Sequence, residues 1–114
     1  MKSVKLKIND KDYVLALDRN SIKWLEANGF VYDDFLKKPI TYRELLWTSL
    51  FLKNHIDVNP SLAIKLMDTY ASEKGENMVN KVVKFAHDEY LSFINALVDT
   101  DSTKNEEELE IIEQ

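Results

Sequence analysis

The chain of 114 residues has no cysteine, only two glycines, two prolines and two arginines. Without cysteine there is no disulfide framework, thiolate zinc site, iron–sulfur cluster or cysteine nucleophile. Two glycines do not make a phosphate-cradling loop, which excludes P-loop and dinucleotide fingerprints. No Gly-x-Ser-x-Gly elbow is present to expose a nucleophilic serine. No apolar run approaches the roughly 18 residues of a membrane span. Met1-Lys2-Ser3-Val4-Lys5-Leu6-Lys7 alternates charged and apolar side chains, so no secretory signal is expected and an intracellular home fits best.

What is present is enough for a core. Hydrophobic residues make up 45% and charged residues 31%, which excludes global disorder and suits one domain. The net charge of −5 is unevenly placed. Residues 99–114 hold seven acids against Lys104, a net −6, so residues 1–98 carry +1. The expectation is one globular domain over 1–98 and a disordered acidic tail over 99–114, in which Leu109, Ile111 and Ile112 are apolar residues able to dock on a surface. Arg19 and Arg43 are too few, and the body too neutral, for a phosphate-binding surface, so no nucleic-acid partner is expected.

The periodicities give a mainly α fold with an N-terminal β-hairpin packed on a bundle of about four helices. Val4, Leu6 and Ile8 alternate with polar residues, Asn9-Asp10-Lys11-Asp12 supplies turn chemistry, and Tyr13, Leu15 and Leu17 resume the alternation, a hairpin over 3–17. Helices follow at about 20–28, 41–55, 60–73 and 77–98. Asp18 or Ser21 caps the first, and Gly29-Phe30 ends it. Thr41-Tyr42-Arg43-Glu44 matches a capping box for the second, whose Leu45, Leu46, Trp47, Leu50, Phe51 and Leu52 predict the most buried helix. Residues 31–39 read as a loop. Asn59-Pro60 starts the third helix and Gly75 ends it. In the fourth, Val79, Val83, Ala86, Tyr90, Phe93 and Leu97 form a heptad-like seam.

Side chains able to carry chemistry are sparse. His55 sits near a helix C-terminus, where its partial positive charge suits the dipole. His87 lies on the flank of the last helix beside Asp88-Glu89, without a second histidine one turn away. Asp33-Asp34 lacks the acidic spacing and glycine of a calcium loop and has Lys37-Lys38 close by. No catalytic, cofactor or metal site is expected. The positive feature is the breadth of the last helix's apolar surface: Met78 and Phe85 project at one edge of its stripe, Leu91 and Val98 at the other. An apolar surface wider than one packing stripe marks these four as candidate partner-binding residues.

The opening hairpin, Ser21-Ile22-Lys23-Trp24-Leu25-Glu26-Ala27-Asn28-Gly29-Phe30, the acidic loop before Lys38-Pro39-Ile40-Thr41, and the helix bearing Leu45, Ser49, Leu50, Phe51 and His55 together resemble the small tail assembly chaperone-like proteins of long-tailed phages and prophages of Gram-positive bacteria. The likeness runs over roughly residues 3–60. It implies a non-catalytic factor in the host bacterial cytoplasm, absent from the mature virion. Such a factor binds and solubilises the tape-measure protein and helps recruit the major tail protein. Self-association would shield its apolar helix face. The competing expectation is a small acidic phage regulatory or inhibitory protein that binds a host protein.

Overall fold

The computed structural model describes residues 2–98, and the expected disordered tail lies outside them. The chain forms an N-terminal hairpin followed by four helices, a mainly α arrangement. Strands β1 (Ser3–Ile8) and β2 (Lys11–Ala16) pair antiparallel, with Ile8 opposite Lys11. The turn is tighter than the four polar residues suggest. Only Asn9 and Asp10 lie between the strands, at φ 50° and 66°, the two left-handed residues of a type I′ turn. The inward residues Leu6, Ile8, Tyr13 and Leu15 are buried against the helices, as two strands alone could not be.

Helix α1 (Arg19–Ala27) starts with a reciprocal cap: the Asp18 carboxylate accepts the Ser21 amide at 2.8 Å, and the Ser21 hydroxyl accepts the Asp18 amide. Its end is a Schellman motif. The Phe30 amide donates to the Leu25 carbonyl and the Gly29 amide to that of Glu26, with Gly29 at φ 82° and the Phe30 ring buried. Only glycine reaches that backbone region without strain, and the apolar residue after it folds back on the helix. Part of the expected loop over 31–39 is a short 3-10 turn, Tyr32–Phe35.

Helix α2 (Pro39–Ser49) differs from the predicted 41–55 at both ends. Proline at the first turn sets the helical φ and has no amide to leave unsatisfied. The helix therefore starts two residues early, after Lys38, and the expected box at Thr41–Glu44 is not its cap. It stops six residues early. The amides of Leu50 and Phe51 bond three residues back, to Trp47 and Thr48, and a series of turns follows. The Leu50 carbonyl is thereby released to accept the Ala16 amide of β2 at 3.2 Å. Pairing with the hairpin outweighs helix continuation.

Asn59 caps α3 (Pro60–Lys74), its side chain accepting the Leu62 amide at 2.8 Å. Gly75, at φ 99°, separates α3 from α4 (Glu76–Val98). Trp47, Phe51, Leu46 and Leu50 are fully buried at the centre, and the Trp47 indole donates to the Ala63 carbonyl of α3 at 2.8 Å. That bond satisfies the ring's polar atom and ties two helices together.

Candidate functional site

The core covers only the first half of α4. Its buried residues, Val79, Val82 and Ala86, all precede residue 87. Beyond them Leu91, Phe93 and Ile94 are half-buried, while Leu97 and Val98 are 55% and 66% exposed. Beside the midpoint of α4 the segment 31–40 leaves a groove of about 460 Å³ lined by Tyr32, Asp33, Leu36, Tyr42, Lys84 and His87.

The groove's aromatic wall grows from local sequence. Phe30, held by the Schellman turn, puts its ring 5.0 Å from both Tyr42 and Tyr90. Tyr32, two residues on, stacks over His87 at 5.4 Å and Tyr90 at 6.4 Å, spanning consecutive turns of α4. The Tyr42 phenol is pushed up to about 12 by burial and then by the neighbouring Tyr32, Tyr90 and Asp33. Burial and then Glu26 raise Tyr90 as well. On the open side Lys84 donates to Asp88 at 2.8 Å, and this bond holds the Asp88 carboxyl below the usual carboxylate range.

Helical geometry extends this wall. At 100° per residue, Lys84, His87, Leu91, Ile94 and Val98 fall within about 80° of arc, a stripe roughly 21 Å long. Leu91 and Val98 therefore lie on the same stripe beyond the groove, towards the helix end, Leu91 half-buried and Val98 exposed. Met78 and Phe85 lie on the opposite edge, half-buried and packed against the core cluster. The four candidate residues thus divide into two pairs.

The groove's other wall was missed because 31–39 reads as a plain loop. Its signal is apolar excess: Val31 is 51% exposed and Leu36 87%. Loops seldom carry so much apolar surface without a contact to make.

The polar candidates are apart. His55 faces the hairpin, with its Nε2 accepting the Val14 amide at 3.0 Å, and His87 stands in the aromatic stack. Among the described residues no three His, Asp or Glu side chains group to hold a metal ion. No described helix is long and apolar enough to cross a membrane. What the groove offers is an apolar and aromatic surface bordered by the charged Asp33 and Lys84, suited to a bulky amphipathic segment.

No curated protein and no solved structure matches the chain. The profile of one family, a domain of unknown function (DUF5055), matches residues 1–112, and the chain therefore belongs to the DUF5055 family.

Proposed function

We propose that this protein is a non-catalytic tail assembly chaperone of a long-tailed phage or prophage. It holds an apolar helix of the tape-measure protein against the stripe along α4 and presents the complex to tail-tube subunits. The observation that carries the reading is the stripe on α4 from Lys84 to Val98, exposed at both ends and half-buried at His87, Leu91 and Ile94, which begins beside the exposed Tyr32 and Leu36. It accommodates about 14 residues of a partner helix. The resemblance over residues 3–60 supplies the partner class. On this reading the protein acts in the host cytoplasm and is absent from the finished virion. Half-buried Met78 and Phe85 help build the body, whereas Leu91 and Val98 meet the partner.

The test is co-expression with the long helical protein of the same genome, followed by size exclusion with light scattering. A soluble, defined complex that is lost with Leu91→Asp or Val98→Asp supports the reading. A long protein that stays insoluble, beside a chain that runs alone, overturns it and favours the host-binding inhibitor.

A further inference from the structure

Asn28 is the one asparagine of the chain that a glycine follows. In such a pair the next backbone nitrogen attacks the side-chain amide most readily, because glycine has no Cβ to hinder the approach. Here the pair forms the end of α1, and the Schellman turn engages both reacting groups. Asn28 Nδ2, part of the leaving amide, donates to the Trp24 carbonyl at 2.8 Å. The Gly29 nitrogen, which would be the nucleophile, donates to the Glu26 carbonyl at 3.2 Å. Backbone geometry opposes the reaction as well. Closing a five-membered ring needs the Gly29 nitrogen nearly eclipsed with the Asn28 Cβ. A ψ of 18° at Asn28 holds the two on nearly opposite sides of the Cα–C bond. Access is not the barrier: Asn28 is exposed, and a Cβ built on Gly29 would meet nothing within 4 Å.

We propose that Asn28 is a deamidation site, held latent by the Schellman turn and reactive only when that turn opens. In the open state base removes the Gly29 amide proton, the nitrogen bonds Asn28 Cγ, and the Cγ–Nδ2 bond breaks to release ammonia. The product is a succinimide. Water then opens the ring at either carbonyl, leaving aspartate or isoaspartate. Both products weaken the turn. Aspartate has no Nδ2 donor for the Trp24 carbonyl and sets a negative charge at the negative end of the helix dipole. Isoaspartate adds a main-chain carbon between residues 28 and 29, which puts the Gly29 and Phe30 amides out of register with Glu26 and Leu25. Phe30, whose ring lies 5.0 Å from both Tyr42 and Tyr90, then loses its anchor. Conversion at Asn28 therefore loosens the aromatic wall of the groove. This inference does not depend on the chaperone reading.

Peptide mapping by mass spectrometry tests it, on the full chain held in mildly alkaline buffer with and without guanidinium chloride. In denaturant Asn28 should gain the mass of deamidation before any other asparagine. Without denaturant its conversion should be about tenfold slower or more, set by the fraction of time the turn is open. Asn28→Gln, whose longer side chain closes a ring far more slowly, should abolish the mass gain in that peptide. Once converted, the folded chain should exchange the Phe30 amide about tenfold faster, while the amides around Trp47 keep their protection. Equal conversion with and without denaturant overturns the proposal, and so does another asparagine reacting first in denaturant. An unchanged Phe30 amide in the converted chain overturns the link to the groove.

Discussion

The Nε2 of His55 accepts the amide of Val14 at 3.0 Å, while its ring packs edge-on against Tyr13 at 5.0 Å. A histidine beyond the end of α2 thus closes the outer edge of β2, and its ring fills the gap between the hairpin and Phe51. To accept this bond Nε2 must be the unprotonated nitrogen. His55→Ala removes both bond and packing and should cost about 1–2 kcal/mol in urea unfolding. His55→Gln keeps an acceptor and should recover part of that. No difference between the variants would show that packing alone matters.

Tyr42 makes alkaline pH a probe of the groove. Its phenol, ordinarily at 10.0, is pushed up to about 12 by burial. Between these values the unfolded chain has lost the proton and the folded chain keeps it, so stability falls as pH rises through that window. It is unaffected below the window. Tyr42→Phe should flatten the decline, measured as Tm against pH from 9 to 12, leaving the smaller contributions of Tyr70 and Tyr90, which are also raised by burial.

Gly29 separates conformational from steric constraint. A Cβ added there would meet nothing within 4 Å, yet φ is 82°. Gly29→Ala should therefore destabilise by about 1 kcal/mol through backbone strain alone. A neutral result in thermal unfolding would mean that the Schellman turn relaxes without loss.

The turn residue Asp10 has φ 66°, where glycine after asparagine is the favoured pair. Asp10→Gly should raise stability by about 0.5 kcal/mol despite glycine's greater freedom in the unfolded chain. A lower denaturation midpoint would argue that the Asp10 side chain contributes more than its strain.

Opposite edges of α4 should respond differently to the same substitution. Phe85 packs against the core, so Phe85→Asp should lower Tm and reduce the helical circular dichroism signal. Val98 is 66% exposed, so Val98→Asp should leave both unchanged and weaken partner binding about tenfold or more, as loss of an interface anchor does. Equal Tm losses in the two variants would assign both edges to the core.

Local chemistry accounts for much of what could be read before folding. Alternation in Val4, Leu6 and Ile8, the Asp18 and Asn59 caps, the Gly29 and Gly75 stops and the apolar run around Trp47 each act within a few residues. Each is therefore visible in a short window of sequence. The end of α2 was not visible, because the Leu50 carbonyl and the His55 ring are claimed by a strand some 35 to 40 positions earlier in the chain. The candidate partner surface was half visible. Leu91 and Val98 follow from helix periodicity, but Tyr32 and Leu36 gain meaning only when the 3-10 turn lays them beside His87.

The sequence by itself determined the element order, the caps and the division between a nearly neutral body and an acidic tail, because propensity, periodicity and charge are local properties. Tertiary structure alone decided which edge of α4 packs on the core and how the outer edge of β2 is sealed. Those outcomes depend on how far the core extends along a helix about 34 Å long. No pattern within α4 distinguishes Phe85 from Leu91; contact with the rest of the chain does.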